Sequence, residues 1–262
     1  MELAFSTLGV PGMPLDEVLA LATGSGYEGV ELRAAADEPV NPGLDAAERA
    51  GVAERFATSG VTPLTIAAYA GMAQDGPDEP VVEEALAAVR LAAGVGAGHV
   101  RVFPRGGDLP PSEADANAAR RLAAVAPVAA DLGVRVLLET HDSHSTATAV
   151  SRVLDRVDHP GVGAIWDLMH TWRAGEDPQD SYRALAPHLA YVQVKDIASR
   201  TDTTPLPLGT GVLPLAACVD SLRGGGYRGW LCWEYEALWY PGAQALPPLL
   251  PAGARLLRGL GA

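Results

Sequence analysis

The chain has 262 residues, 48% of them hydrophobic and 19% charged, with 32 Asp+Glu against 19 Lys+Arg for a formal net charge of −13. That hydrophobic share, together with Gly 29 and Pro 21, excludes a disordered or fibrous chain. The acid excess repels a phosphate backbone, so no nucleic-acid partner is expected.

The length suits a single α/β domain over residues 1–262, and no linker or composition shift divides it. Cys218 and Cys232 are too few for a disulfide framework and too far apart for a redox or zinc motif, which fits a reducing, cytoplasmic setting. The start, Met1-Glu2-Leu3-Ala4-Phe5, lacks the basic residues and long apolar run of a secretory signal, so the mature chain is expected to begin there. Two charge-free stretches, Thr203 to Val219 and Ala237 to Ala254, are each broken by prolines and cannot make a spanning helix, so no membrane association is expected.

Short apolar runs rich in β-branched residues alternate with Ala/Leu-rich stretches of helical spacing. In chain order the predicted strands are Leu3–Ser6, Gly29–Leu32, Thr62–Ala67, His99–Phe103, Arg135–Glu139, Gly163–Asp167, Ala190–Val194 and Trp230–Glu234. Helices are predicted near Pro14–Thr23, Leu44–Thr58, Pro80–Ala93, Ser112–Asp131, Thr146–Arg156, Gln179–Ala186, Pro214–Arg223 and Ala243–Arg258. Such pairs average about 33 residues, the repeat of a (β/α)8 TIM barrel. A doubly wound sheet ranks second, because the turn after the first strand, Thr7-Leu8-Gly9-Val10-Pro11-Gly12-Met13, lacks dinucleotide-fingerprint spacing. Gly26-Tyr27-Glu28-Gly29-Val30-Glu31 is echoed by Gly226-Tyr227-Arg228-Gly229-Trp230, each a helix-ending glycine leading into a strand.

In such a barrel the chemistry sits at the carboxyl ends of the strands. Glu139, Asp167 and Glu234 each end an apolar strand there, and three carboxylates at one mouth repel one another unless a cation neutralises them. One divalent metal is therefore expected; with Gln193 contributing an amide oxygen, the donor set favours Mn²⁺ or Mg²⁺, while Co²⁺ or Zn²⁺ would still bind. In Tyr191-Val192-Gln193-Val194-Lys195-Asp196, alternation puts Gln193 and Lys195 on one face and Asp196 on the other. His170, three residues after Asp167, is read as a substrate contact or outer-shell donor at the start of the following loop. His141 reads equally as a substrate contact or as part of a polar loop, and Lys195 as a substrate cation or a salt-bridge partner. His99, His159 and His188 fall at the opposite end and are read as structural. Glu31 and Arg33 share a strand face, and Arg101, inside an apolar strand, needs a partner, expected to be Glu31 or a substrate anion.

On these residues the chain resembles the sugar isomerase/epimerase family of xylose-isomerase-like barrels, the AP endonuclease family 2 superfamily that also contains endonuclease IV. The specific part is Leu-Leu-Glu-Thr-His at 137 to 141, Trp-Asp-Leu-Met-His at 166 to 170, Val-Gln-Val-Lys-Asp at 192 to 196, and Gly-Tyr-Arg-Gly-Trp-Leu-Cys-Trp-Glu at 226 to 234; Gly-Tyr-Glu-Gly-Val-Glu-Leu at 26 to 32 and Val-Arg-Val-Phe at 100 to 103 match more weakly. The resemblance implies that Glu139, Asp167 and Glu234 bind one metal with a strand-seven histidine, whose place Gln193 takes here, as in some 3-dehydroshikimate dehydratases. Endonuclease IV relatives need further metal histidines in the early strands, which this chain does not supply.

The expected function is a metal-dependent isomerase or epimerase of a small sugar, polyol or keto acid, with Glu139 and Glu234 moving a proton next to a carbonyl through a metal-stabilised enediolate. Glu31, Arg101, His141, His170 and Lys195 are the expected substrate-binding residues. A dehydratase of the 3-dehydroshikimate or inosose type shares the first step and is the alternative; a non-catalytic sugar-binding barrel is the second. The Pro-rich segment Thr203 to Leu213 and the loop Trp239-Tyr240-Pro241-Gly242 are expected to cover the mouth. No heptad pattern marks an interface, which leaves a homo-oligomer open.

Overall fold

The protein is described by a computed structural model covering residues 1–262. Eight parallel strands, β1 (Glu2–Ser6), β2 (Gly29–Arg33), β3 (Thr62–Gly71), β4 (His99–Phe103), β5 (Arg135–Glu139), β6 (Val162–Asp167), β7 (Leu189–Val194) and β8 (Trp230–Trp233), close in sequence order, with β8 pairing back to β1. Around them run α1 (Leu15–Ser25), α2 (Ala46–Ser59), α3 (Asp78–Val95), α4 (Pro111–Asp131), α5 (Ala147–Val157), α6 (Leu168–Arg173), α7 (Pro178–Leu185), α8 (Leu215–Gly224) and α9 (Leu250–Leu260). This is the (β/α)8 TIM barrel expected from the repeat length. No helix is long and apolar enough to cross a membrane.

The strands are buried on both faces, which is why runs such as Val136-Leu137-Leu138 are continuously apolar rather than alternating. Their outward side chains join the helices in a core of 65 buried residues. Their inward side chains form a separate cluster, Ala4, Leu64, Leu137, Ile165, Tyr191 and Cys232, which plugs the lower barrel. The hydrophobic plug makes a solid floor, and the polar residues lie above it.

Three elements depart from expectation. Strand β3 continues past the expected end at Ala67 to Gly71, with a register irregularity against β4 between those two residues. The turn after β6 is helical: Asp167 caps α6 by accepting from Met169 N at 2.8 Å, and six residues are too few to show an apolar period. The last helix starts at Leu250 instead of Ala243; Pro247 and Pro248 open a 3-10 turn, Pro251 enters the first turn of α9, and fixed φ with no N–H suits a helix start rather than its interior. The repeated Gly-Tyr motif behaves as read, with Gly26 and Gly226 at φ 82° and 77° stopping a helix before a strand.

One polar side chain belongs to the scaffold. Arg121 of α4 is fully buried, and its guanidinium donates to Asp78 at 2.7 Å and to the carbonyls of Met72, Gln74 and Gly76 at 3.1, 2.7 and 2.8 Å, tying the β3–α3 loop to α4. Replacing it with Met strands these acceptors, at about 3 kcal/mol. Arg121→Met is expected to lower the thermal midpoint by roughly 6–12 °C for a domain of this size, read by calorimetry; an unchanged midpoint would show the loop holds without it.

Candidate active site

Side chains on a strand alternate between faces, so the parity that puts Leu137, Ile165, Tyr191 and Cys232 inside the barrel also turns Glu139, Asp167, Gln193 and Glu234 inward two residues later. All four are buried, and ligand oxygens of Glu139, Asp167 and Glu234 lie within 4.8 Å of one another. Glu31 comes in from β2 and Arg101 from β4, both buried, while Lys195 follows just past the end of β7.

The contacts form a continuous net. The Tyr191 hydroxyl donates to Glu31, and Gln193 Nε2 donates to Glu31 Oε2 at 3.1 Å and to Glu234 Oε1 at 3.1 Å. Lys195 Nζ pairs with Asp167 Oδ2 at 2.7 Å, with Glu236 at 2.8 Å and with Glu234. Arg101 corrects one expectation. Its Nη1 donates to Glu139 Oε2 at 2.9 Å instead of to Glu31. Arg101 stands opposite Leu137, so the carboxylate one pleat further along the neighbouring strand is in reach, while Glu31 is engaged by Tyr191 and Gln193.

Five buried or half-buried carboxyls, Glu31, Glu139, Asp167, Glu234 and Glu236, meet only two fixed cations, Arg101 and Lys195. The consequences show in the proton affinities. Burial, only partly countered by Arg101 and His141, pushes the Glu139 carboxyl up to about 8, and burial together with Glu234 raises Glu31. Burial works against the Lys195 charge, but Asp167, Glu234 and Glu236 outweigh it and hold the ammonium well above its ordinary range. The amide oxygen of Gln193 is buried with no partner. Three clustered carboxylates and an orphaned amide oxygen are donors that fit a hard divalent cation.

His141 and His170 lie over the same carboxylates, their rings 4.1 Å apart, and each offers a nitrogen to a group with Glu139. Burial and the neighbouring His141 drive His170 well below its usual value, so it stands as a neutral imidazole. Arg33 is turned away to Asp37 and Glu38. Four histidines lie elsewhere: His99 Nδ1 meets Leu64 O at 3.0 Å, His144 Nε2 meets Asp115 at 3.2 Å, His159 accepts from Gly161 N at 3.0 Å, and His188 meets Asp155 at 2.8 Å. A cavity of about 200 Å³ opens above the cluster, lined among others by Tyr69, Arg105, Glu139, His141, Glu234 and Trp239.

Several residues of the site carry no role in the sequence analysis, among them Tyr191 and Glu236, which engage Glu31 and Lys195, and two more from the loops, Asp196 and Arg105. Asp196, on the outward parity, accepts from the backbone N–H groups of Gly209 and Gly211 at 2.9 Å and of Leu213 at 3.1 Å, fastening the Pro-rich segment to the chain just past β7. Its signal was an acid two residues past a strand, followed by a Gly-x-Gly loop. The segment is joined to the Trp239–Gly242 loop through Thr203 and the Tyr240 hydroxyl. The second, Arg105, lines the cavity from the loop after β4.

Comparison with known proteins agrees with this fold. Residues 19–260 match the model of the xylose isomerase-like TIM barrel family, and the chain belongs to that family. It is 34% identical over 159 residues to a Streptomyces coelicolor protein named "Putative hydroxypyruvate isomerase", covering 56% of this chain and 55% of that one. It is 36% identical over 81 residues to a 3-dehydroshikimate dehydratase from Bacillus anthracis, covering 30% of this chain and 29% of that one. The matches thus span about half or less of the length of these curated relatives. In fold it is similar to D-psicose 3-epimerase from Clostridium cellulolyticum H10, with TM-score 0.84 at 15% identity over 99% of both chains. It is likewise similar to the IOLI protein with a binding zinc atom, with TM-score 0.81 at 17% identity over 99% of this chain and 96% of that one. These relatives are enzymes of isomerase, epimerase and dehydratase type.

The Asp196 anchor can be tested apart from any chemistry. Asp196→Ala removes a charged acceptor from three loop amides, so hydrogen exchange at Gly209, Gly211 and Leu213 is expected to accelerate roughly 10- to 100-fold while the strands keep their protection; unchanged exchange would detach the loop from this residue.

Proposed function

We propose that the chain is a divalent-metal-dependent isomerase or epimerase that moves a proton next to the carbonyl of a small polyhydroxylated or keto-acid substrate. The observation that carries this reading is the convergence of Glu139, Asp167 and Glu234 from three strands into one buried group beneath a cavity. Glu139, Asp167, Gln193 and Glu234 would hold the ion, with Mn²⁺ or Mg²⁺ suiting the oxygen donors best. When bound, it supplies Lewis-acid stabilisation of the charge that develops on the substrate oxygens.

The chain's own groups do the rest. Glu139 and Glu234 are the proton acceptor and donor on opposite sides of the substrate, and Arg101 and Lys195 fix their orientation through Glu139 Oε2 and Glu234 Oε2. His170, kept neutral, gives or accepts a hydrogen bond at a substrate oxygen, and His141 backs it. Return of the proton to the neighbouring carbon is aldose–ketose isomerisation, as the likeness to hydroxypyruvate isomerase suggests; return from the other face is epimerisation. Expulsion of a β-hydroxyl instead would give a dehydratase, the second reading, supported by Gln193 and by the shorter match to 3-dehydroshikimate dehydratase.

Solvent deuterium uptake separates these readings. With Mn²⁺ present, hydroxypyruvate or a ketose is expected to gain deuterium at a single carbon, and Glu234→Gln is expected to cut that exchange by roughly 10²–10⁴ while the far-UV circular dichroism is preserved. An unaffected rate would remove Glu234 from the proton transfer. Binding with no exchange on any substrate would mark a non-catalytic barrel, and appearance of an aromatic product from 3-dehydroshikimate would select the dehydratase.

Proton competition gives a second test. Glu139 is shifted from 4.5 up to about 8, so the metal-free fold holds a proton that the unfolded chain has released. Its stability contribution is present below 4.5 and is lost as pH rises through about 8. Since the ion needs the carboxylate, apparent Mn²⁺ affinity is expected to rise by up to tenfold per pH unit until about 8 and then level. Calorimetric titration in buffers of different ionisation enthalpy should record proton release at neutral pH, and no release would contradict a ligand role for Glu139.

A further inference from the structure

The arginines and the lysine around the mouth are nearly all engaged. Arg33 pairs with Asp37 and Glu38, Arg101 with Glu139, and Lys195 with Asp167, Glu234 and Glu236. Arg105 lines the same cavity as Glu139 and Glu234, yet its guanidinium has no carboxylate within 4.0 Å. In a chain with net charge −13, a cavity-lining arginine whose guanidinium pairs with no acid presents its side-chain donors to whatever enters.

Its placement is built by its surroundings. The backbone at Arg105 is left-handed, at φ 54°, a conformation costly for a residue with a long side chain and concentrated at functional positions. Asp142 Oδ1 accepts from its N–H at 2.9 Å and holds it there. The guanidinium carbon lies 5.2 Å from the centre of the Phe103 ring and 5.8 Å from that of Tyr69, so the aromatic faces orient it. Gly71 makes room for the stem, since a Cβ there would come within 3.0 Å of Arg105 Cβ and Cδ.

We infer that Arg105 anchors the carboxylate of a small hydroxy- or oxo-acid, so that the substrate lies with its acid group on Arg105 and its carbonyl end toward Glu139 and Glu234. The planar fork of guanidinium donors matches the two oxygens of a carboxylate. The inference deepens the proposed function by naming its substrate class and rests on that reading for the orientation of the carbonyl end. The same donors would also hold a phosphate, so the test separates the two head groups.

Hydroxypyruvate, dihydroxyacetone phosphate and dihydroxyacetone share a three-carbon frame and the same shift, in which a proton leaves the hydroxymethyl carbon and returns to the former carbonyl carbon. They differ in carrying a carboxylate, a phosphate or no charge. The Mn²⁺-loaded enzyme is expected to prefer hydroxypyruvate, and Arg105→Met to lose roughly 10- to 100-fold on it, mainly through KM, with dihydroxyacetone unaffected. Equal loss on the acid and the neutral substrate, or a preference for the phosphate, would overturn the carboxylate anchor. A readout free of turnover is calorimetric titration of tartronate into the metal-free protein. Binding is expected in the wild type, lost in Arg105→Met and partly restored in Arg105→Lys; binding that ignores the substitution would overturn the inference. If tartronate binding depends on Arg105 while none of the three substrates is turned over, the anchor stands and the isomerase reading fails for trioses. Arg105→Gly, which relieves the left-handed backbone, is expected to melt at or above the wild-type temperature while losing tartronate; a large drop in melting temperature would mark the arginine as structural.

Discussion

Carboxylates outnumber fixed cations where the strands of the barrel end, and the rest of the structure is arranged around that imbalance. An ionised carboxyl taken out of water costs several kcal/mol unless it is paired or coordinated. Asp167 and Glu234 share Lys195, Glu139 takes Arg101, and Glu31 is left to the neutral donors Tyr191 and Gln193. The proton affinities of Glu31 and Glu139 rise chiefly because burial disfavours their charged forms, with the neighbouring Glu234 adding to the rise and Arg101 only partly offsetting it. A bare cluster of this kind destabilises the fold, which is the ordinary cost of a preorganised site and is offset by well-packed apolar layers elsewhere.

Those layers have a division of labour. The outward core binds the strands to the helices, while the inward plug of Ala4, Leu64, Leu137, Ile165, Tyr191 and Cys232 closes the bottom of the barrel. The plug keeps water from approaching the carboxylates from below and leaves the upper cavity as the way in. Loop anchoring follows the same economy: Asp196 and Arg121 each gather several backbone groups around one buried charge, so two side chains hold two long connections.

Much of this architecture was legible in the residues. Alternation of β-branched runs with Ala/Leu stretches marks eight units because each strand must be apolar on both faces and each helix on one. An acid at the end of such a strand stands out against that background, so Glu139, Asp167 and Glu234 could be picked out before their meeting was known. The short α6 and the late start of α9 were harder to see, since a capping carboxylate and a pair of prolines act over three or four residues, below the length of any periodicity.

The sequence by itself determined the fold class, the parity of each strand and the types of oxygen donor present, because these follow from local pattern and from side-chain chemistry. Partnership was decided only by the tertiary structure: that Arg101 takes Glu139 rather than Glu31, that Lys195 binds three acids, that Asp196 fastens a loop while Arg105 keeps its donors free. Pairing between residues far apart in the chain depends on strand register and on reach across a closed barrel, distances that no stretch of consecutive residues contains.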